Sequence, residues 1–267
     1  MAPPAALAGR RLLVVGASAG IGRGVAVQAV AAGAHVVLTA RRAAALDAVT
    51  AEAGGGTAVA GDVRDDAARG AVVDAAVAAL GEIDAVVYAV GSADLRRLAA
   101  TDTAVWHATL GANVVAFNQL VRDVLPHLAP GAVIAALSSE TAAAPRHGLV
   151  PYAASKAALE ASLAGWRHEH PGLRCTCVVV GATQPTDFGA GFDAAALDDA
   201  LASWVRHGAL QEESMHTDDV AAVLVATLAT ALDVPGVALE TLVLRSPSPV
   251  AGPTWTPAPA PRQGHTG

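Results

Sequence analysis

The chain has 267 residues, of which 53% are hydrophobic, 15% charged and 3% aromatic, and its net charge is −7. This length fits one large α/β domain rather than two, and the acidic balance argues against a nucleic-acid surface, which needs a basic face. The mean hydropathy of +0.44 invites a membrane interpretation, but no uninterrupted apolar run is long enough to span a bilayer, so a buried parallel sheet explains it better.

Strands and helices alternate along the chain. The run Arg11–Val15 is continuously apolar after its first residue, as in a strand buried on both faces, and similar runs follow at 34–39, 57–60, 83–90, 132–137, 173–180 and 239–244. Asp65 is predicted to cap the third helix, and Pro151 to open the helix before the sixth strand. The alternation predicts a doubly wound parallel sheet, a Rossmann fold of about seven strands with helices on both faces.

A glycine-rich turn follows the first strand. Gly16, Gly20 and Gly22 lie within seven residues, and the next helix points its free N–H groups and positive dipole end back at them. The spacing predicts a pyrophosphate cradle built from Gly16, Ser18, Gly20, Ile21 and Gly22. The segment also matches G-x-S-x-G, the nucleophile turn of α/β-hydrolases, but no earlier strand supplies the scaffold that such a serine needs, so hydrolysis is disfavoured.

In a doubly wound fold, the residues at the end of the second strand determine the preference for NAD or NADP, because an acid there binds the ribose of NAD. Positions 39–42 read Thr-Ala-Arg-Arg instead, so Arg41 and Arg42 are candidates to bind the 2′-phosphate of NADP, with Arg41 favoured. The alternative is that both merely begin a solvated helix. Asp62 and Val63 end the third strand beside the expected adenine pocket, although Asp62 could equally cap the helix at Asp65.

Tyr152 and Lys156 are four residues apart on a predicted helix and therefore share one face. A phenol has a reference pKa of about 10, and a neighbouring ammonium favours the phenolate and lowers that value. Ser139, at the end of the fifth strand, is placed to donate a hydrogen bond to a carbonyl oxygen as charge develops on it. Together these side chains predict an acid/base site.

At this point the chain resembles the short-chain dehydrogenase/reductase family, in its single-domain branch, over about residues 9 to 245. The resemblance rests on the glycine turn, Asp62-Val63, Asn113, Ser138-Ser139 and the block from Tyr152 to Leu159. It implies hydride transfer between a nicotinamide and a carbonyl/alcohol pair. It also implies roles for four catalytic residues: Tyr152 as acid/base, Lys156 to lower its pKa and hold the nicotinamide ribose, Ser139 to orient the substrate oxygen, and Asn113 to hold a water in the proton relay.

The family pattern further implies cofactor contacts at Ala89, Gly91, Gly181 and Thr183, besides Tyr152 and Lys156. The sequence departs from that pattern at Val15, where the family has threonine, over 88–91, where it has Asn-Asn-Ala-Gly, and at Val180, where it has proline. These changes remove side-chain hydrogen bonds that steady the loops around the cofactor, so we expect them to affect affinity and loop geometry rather than chemistry.

Three of the few aromatic residues fall between the sixth strand and the last helix: Phe188, Phe192 and Trp204. They predict either a mobile apolar lid over the substrate or rings that anchor this segment to the core. Cys175 and Cys177 face one side of a strand without partners at metal spacing, so we expect reduced packing residues, no metal site and a cytoplasmic protein.

We therefore expect residues 1–245 to form one dinucleotide-binding and catalytic domain, followed by a Pro-rich tail, 246–267, that is disordered or loosely attached. The expected activity is that of an NADP(H)-dependent oxidoreductase for a small-molecule ketone or aldehyde with an apolar body, or for a secondary alcohol, with NADP(H) preferred over NAD(H). An NAD-linked alcohol dehydrogenase and a non-catalytic dinucleotide-sensing protein remain alternatives. No nucleic-acid or membrane partner is expected, and the family resemblance implies a homodimer or homotetramer.

Overall fold

The computed structural model describes residues 7–252. Its strands are β1 (Arg11–Val15), β2 (His35–Ala40), β3 (Thr57–Ala60), β4 (Ile83–Tyr88), β5 (Leu128–Ser139), β6 (Arg174–Val180), β7 (Thr183–Gln184), β8 (Met215–His216) and β9 (Thr241–Leu244). Its helices are α1 (Gly20–Ala31), α2 (Ala43–Ala53), α3 (Asp66–Leu80), α4 (Thr103–Leu110), α5 (Ala116–Val124), α6 (Val150–Glu169), α7 (Ala194–Arg206) and α8 (Thr217–Asp233).

Seven parallel strands form the main sheet in the order β3-β2-β1-β4-β5-β6-β9, which confirms the predicted doubly wound fold. The chain first builds outward from β1 to β3 and then returns to place β4 on the other side of β1. The carboxyl ends of β1 and β4 therefore border the crevice at which ligands bind in such sheets.

Alternate residues of the buried strands supply two separate cores. On β1, Leu12 and Val14 pack towards the face covered by α1 and α8, while Leu13 and Val15 pack towards α5 and α6. All four side chains are at most 1% exposed. Burial on both faces explains why β1 is an apolar run rather than an alternating pattern.

Helix starts follow the capping rules. Asp65 accepts a hydrogen bond from the Ala68 amide at 2.8 Å and caps α3, as predicted. Asp102 caps α4 in the same way through the Val105 amide at 2.9 Å. Pro151 lies in the first turn of α6, which confirms the predicted position of that helix.

Two features differ from the sequence prediction. The long helix predicted after residue 102 is interrupted at Gly111–Val115 by a π-helical turn, which separates α4 from α5. In addition, residues 246–252, called the C-terminal strap below, run antiparallel to 210–213: the Ala251 amide donates to Leu210 O at 2.8 Å, and Ala251 is 2% exposed. The first residues of the predicted tail, 246–252, therefore pack against the domain, and the rest of that tail lies outside the described residues.

Cys175 and Cys177 are free and buried on one face of β6, as predicted, and burial raises the pKa of both thiols to about 11. Within residues 7–252, no group of three or more metal-ligating side chains could hold a metal ion. No helix in this part of the chain is long and apolar enough to cross a membrane.

Candidate active site

The glycine turn lies at the switch point between β1 and β4. Gly16 has a φ of +87° and directs its amide, like that of Ala17, to the carbonyl oxygen of Thr39. A Cβ on Gly22 would lie 2.3 Å from Gly16 O, and one on Gly16 would lie 2.9 Å from the backbone of Ala89. The turn therefore closes on itself only because side chains are absent, and α1 begins directly beyond it at Gly20.

The start of α1 is open to a ligand. Its N-cap residue, Ala19, provides no side-chain hydrogen bond, so the amides of the first turn lack the usual capping acceptor. Gly20 has a φ of +58°, and a Cβ there would meet only Thr186 at ordinary contact distance. Ile21 packs against the α1–α8 core and so fixes the direction of the helix. Uncapped amides at the positive end of a helix are suited to a phosphate group.

Of the two arginines after β2, Arg42 is the one that reaches the glycine turn. Its Nη2 lies 3.3 Å from Ser18 Oγ and 2.6 Å from Asp187 Oδ2. Arg41 is exposed as well, and its charge contributes to lowering the pKa of Asp62. Arg42 therefore shares a contact with the predicted phosphate cradle, and binding of a 2′-phosphate by Arg41 or Arg42 remains a prediction.

Asp62 does not cap the helix, since Asp65 does. It instead pairs with Arg64 at 2.5 Å, and this hydrogen bond lowers its pKa. Val63 is buried beneath it in the α5–α6 core. The adenine contact predicted for Asp62 and Val63 remains a prediction.

The loops after β4 and β6 approach the same crevice. The Ala89 amide donates to Val15 O at 2.8 Å, and the Gly181 amide to Leu244 O at 2.9 Å, so backbone bonds secure both loops where the side-chain bonds of the family pattern are missing. Thr183 Oγ1 donates to Gly181 O at 2.9 Å. Apart from its chain neighbours, the described residues place just one atom within 4 Å of a Cβ built on Gly91, Lys156 Nζ at 3.9 Å, so the predicted cofactor passage is open on this side.

Asn113 is buried in the π-helical turn and joins two segments that carry predicted site residues. Its Oδ1 accepts from the Ser92 amide at 2.8 Å, and its Nδ2 donates to Ser92 O at 2.9 Å and to Ser155 Oγ at 2.8 Å. Ser155 in turn donates to the carbonyl oxygen of Tyr152 at 2.7 Å. The side chain therefore ties the loop after β4 to the first turn of α6, which explains an asparagine in the middle of a helix.

Tyr152 and Lys156 lie on one face of α6, with Lys156 Nζ 5.7 Å from the phenol ring centroid. Lys156 is 2% exposed and donates to Leu137 O at 2.7 Å and to Val90 O at 3.4 Å. Burial lowers its pKa to about 8. The ammonium is therefore held between the ends of β4 and β5 rather than against the phenol oxygen.

Burial raises the pKa of Tyr152 to about 12, while the neighbouring Ser139 hydroxyl and, to a smaller extent, the Arg146 guanidinium lower it. The expected lowering of the phenol pKa by Lys156 is thus not found in this arrangement, because the apolar surroundings dominate and Arg146 is the cation that acts on the phenol. Ser139 Oγ accepts from Thr141 Oγ1 at 3.0 Å and from the Thr141 amide at 3.2 Å, which leaves its own proton free to donate.

A small apolar cluster, called the lid cluster below, covers Tyr152; it comprises Leu95, Leu149, Ala200, Trp204, Leu210 and Ala251, with Phe188 and Phe192 packed against it. The Phe188 ring meets the Tyr152 ring edge-on at 4.9 Å, and Trp204 Nε1 donates to His147 O at 2.9 Å. Phe188 therefore contacts the phenol directly, Phe192 packs against Phe188 at a ring distance of 5.6 Å, and Trp204 anchors the segment, which supports the anchoring alternative; mobility of a lid remains a prediction.

The sequence patterns did not indicate two further candidate site residues. Glu140, directly after Ser139, and Arg146, six residues before Tyr152, form a mostly buried ion pair beside the phenol. Five small residues, 141–145, separate them, and this isolated pair of opposite charges in an otherwise uncharged stretch is the signal that could have revealed them.

The fold and this crevice define an α/β protein of the dinucleotide-binding, oxidoreductase class. Residues 10–196 match the family model described as short chain dehydrogenase. The chain belongs to the short-chain dehydrogenase/reductase family, as the sequence resemblance predicted.

Relatives and solved structures agree with this assignment. The chain is 33% identical to the short-chain dehydrogenase/reductase FrzI of Cladobotryum sp over 63% of this chain and 67% of that protein. It is 37% identical to a hydroxysteroid 11-beta-dehydrogenase 1-like protein of Xenopus tropicalis, over 62% of this chain but only 60% of that protein. A Burkholderia cenocepacia short chain dehydrogenase solved in complex with NADP is 29% identical, with a TM-score of 0.75 over 90% of this chain and 97% of that one.

Proposed function

We propose that this chain is an NADP(H)-dependent oxidoreductase that transfers a hydride between the nicotinamide and a ketone, aldehyde or secondary alcohol, with Tyr152 as the acid/base. The observation that carries the proposal is the convergence of Tyr152, Lys156 and Ser139 on the crevice beside the glycine turn. A similar protein solved with NADP supports the choice of cofactor. The lid cluster supports a substrate with an apolar body.

The residues present fit a nicotinamide dinucleotide. The uncapped amides at Gly20 would hold the diphosphate, Arg42 with Ser18 the 2′-phosphate, and Lys156 the nicotinamide ribose next to the open side of Gly91. Gly181 and Thr183 border the same crevice. When bound, this cofactor supplies the hydride for reduction or accepts it in oxidation.

In the direction of reduction, Tyr152 Oη gives its proton to the substrate oxygen. Ser139 Oγ, which accepts from Thr141, donates its free proton to the same oxygen and orients it. Asn113 holds the first turn of α6, which carries Tyr152, against the loop after β4 through hydrogen bonds to Ser155 and Ser92. The lid cluster excludes water from the phenol, so the proton reaches the substrate instead of solvent.

A second candidate, an NAD-linked dehydrogenase, is favoured by one contact. Arg42 already has a carboxylate partner in Asp187, which competes with a 2′-phosphate for the same guanidinium. A non-catalytic dinucleotide sensor is less well supported, because the acid/base phenol, the ammonium and the serine are all present in one crevice.

The proposal extends to a cytoplasmic homodimer or homotetramer assembled through the helices from Thr103 to Val124 and through α6. Val115, in the π-helical turn between α4 and α5, is 54% exposed, which is unusual for a large apolar side chain on a helix rich in buried ones. Light scattering on the purified protein would give the mass of the particle, and a monomeric mass for both wild type and Val115→Asp would contradict the assembly.

Substitution Tyr152→Phe tests the proposed chemistry. A panel of ketones and alcohols followed by nicotinamide absorbance should show turnover in the wild type and a loss of at least about a hundredfold in this variant. Calorimetric titration with NADP⁺ should still show binding. The matched control is Tyr88→Phe, since Tyr88 is the other tyrosine of the chain and its hydroxyl donates to Ala112 O at 2.7 Å, outside the crevice. A fully active Tyr152→Phe would remove the proposed acid.

A further inference from the structure

Glu140, Arg146 and Arg245 form a three-residue ionic cluster at the carboxyl ends of β5 and β9. Glu140 Oε1 pairs with Arg146 Nη2, and Glu140 Oε2 lies 3.3 Å from Arg245 Nε. The side chains of Glu140 and Arg146 are only 10% and 13% exposed, whereas Arg245 is 57% exposed. Two guanidinium groups thus share one carboxylate, and the cluster carries a surplus positive charge.

The cluster borders the proposed substrate side of the crevice. Glu140 directly follows Ser139, and a Cβ built on Gly181 would lie 3.4 Å from Glu140 Oε2. The Arg146 guanidinium lies over the Trp204 ring, 5.7 Å from its centroid, and Trp204 belongs to the same lid cluster as Tyr152. The Arg146 guanidinium is therefore a neighbour of both the phenol and the aromatic wall of the crevice.

Arg146 retains unused hydrogen-bond capacity. A guanidinium has five N–H donors, and within residues 7–252 the one side-chain acceptor that Arg146 reaches is Glu140. None of its nitrogens belongs to the side-chain atoms of this segment that are both sealed from solvent and unpaired. The remaining donors are therefore accessible from solvent. A mostly buried guanidinium with free, accessible donors is suited to a planar oxyanion that binds through two oxygens.

Arg245 lowers the free-energy cost of replacing Glu140 by a ligand as the partner of Arg146. If a ligand takes the Arg146 guanidinium, Glu140 keeps Arg245 through its second oxygen and is not left as an unpaired buried charge. We propose that Arg146 is a specificity-determining residue that binds a carboxylate of the substrate, so that the preferred substrates are oxo acids or the corresponding hydroxy acids. This inference rests on the proposed oxidoreductase function and adds the charge of the substrate to it.

The test compares oxo acids with their methyl esters, which share the reacting carbonyl and lack the charge. A series from 2-oxo to 6-oxo straight-chain acids covers the unknown spacing, and nicotinamide absorbance gives kcat/KM for each acid and ester. We expect the wild type to prefer at least one acid over its ester. Arg146→Met should lower the acid-to-ester ratio by about 10- to 100-fold, mainly through KM of the acid, because it removes a charge-assisted, paired hydrogen bond to the carboxylate.

Two further variants distinguish contact from general charge. Arg245→Met removes the other guanidinium from the same carboxylate and should change the acid-to-ester ratio by less than about threefold. Glu140→Gln frees Arg146 from its partner and should raise the ratio, so the prediction has a variant of opposite sign in case Arg146→Met is insoluble. An equal loss in Arg245→Met, or a lower ratio in Glu140→Gln, would overturn the assignment.

The outcomes separate this inference from the proposed function. If the wild type reduces esters at least as well as every acid of the series, Arg146 does not select a carboxylate, while the oxidoreductase function stands. If neither acids, esters nor the neutral ketones and alcohols are turned over with either nicotinamide cofactor, the proposed function itself fails.

Discussion

Substitution Arg42→Ala should weaken the use of NADPH and leave the use of NADH almost unchanged. Arg42 is the arginine that contacts the glycine turn, through Ser18 Oγ at 3.3 Å, and it also pairs with Asp187 at 2.6 Å. A 2′-phosphate bound beside Ser18 would have to replace this carboxylate. The expected effect is therefore the free energy of the hydrogen bond between Arg42 and the phosphate, less that of the ion pair with Asp187 which the phosphate displaces.

The magnitude follows from the exposure of the two groups. A charge-assisted hydrogen bond to phosphate contributes about 1.5–3 kcal/mol. The Arg42 and Asp187 side chains are 58% and 60% exposed, so their ion pair contributes only about 0–1 kcal/mol and offsets little of this. Arg42→Ala should accordingly lower the ratio of kcat/KM for NADPH to that for NADH by roughly 10- to 100-fold, and Asp187→Asn should raise the ratio by up to about fivefold.

The assay measures kcat/KM for both cofactors at one fixed saturating substrate concentration and at low salt, where screening of exposed charges is weakest. Arg41→Ala is the matched control, since it removes an adjacent exposed guanidinium from the same corner. An unchanged cofactor ratio in Arg42→Ala together with a large fall in Arg41→Ala would refute the reasoning from side-chain geometry.

Two further predictions concern burial. Burial lowers the pKa of Lys156 from 10.5 to about 8. Below pH 8, folding therefore buries a charged ammonium, which reduces the free energy of unfolding. This reduction becomes smaller as the pH rises from about 8 to 10.5, because the folded protein then loses the proton before the unfolded chain does. Lys156→Met should thus abolish turnover. In denaturant unfolding it should raise the free energy of unfolding by up to about 3 kcal/mol at pH 7, and by less at pH 10. An equal gain in stability at both pH values would contradict the low pKa. Ala251→Asp should destabilise the domain by roughly 2 kcal/mol or more and reduce turnover, because it places a carboxylate in the lid cluster. Val250→Asp, at a position 54% exposed, should shift the thermal midpoint little, and equal shifts in both variants would show that the C-terminal strap does not pack as described.

Local patterns in the sequence were sufficient to predict the sheet and the helix α6 that carries Tyr152 and Lys156. The glycine spacing requires only a turn between a strand and a helix, and the four-residue spacing of Tyr152 and Lys156 requires only that α6 is helical. Both depend on neighbours in the chain, so they are visible without knowledge of packing.

Contacts between distant segments were not visible in the same way. Arg42 meets Asp187 across 145 residues, and Gln211 pairs with Val250 across 39, and no local pattern specifies either contact. The proline-rich composition after residue 245 predicted a loose tail, yet Ala251 is buried because backbone groups of the segment 210–213 form hydrogen bonds with the C-terminal strap. Which of two adjacent side chains, Arg41 or Arg42, reaches the glycine turn likewise depends on the residues that the fold places opposite them.

The opposite pKa shifts of Tyr152 and Lys156 also clarify how the proposed acid would act. In the resting site the phenol keeps its proton, because burial raises its pKa to about 12, and Lys156 lies 5.7 Å from the phenol ring centroid, bound to backbone carbonyls. An ammonium interacts weakly with a neutral phenol but strongly with a phenolate in a medium of low dielectric constant. Its stabilising effect therefore appears only as the proton leaves Tyr152 Oη, which is the point at which a catalyst must act. In the proposed mechanism, Lys156 would lower the barrier to proton transfer without having to lower the resting pKa of the phenol.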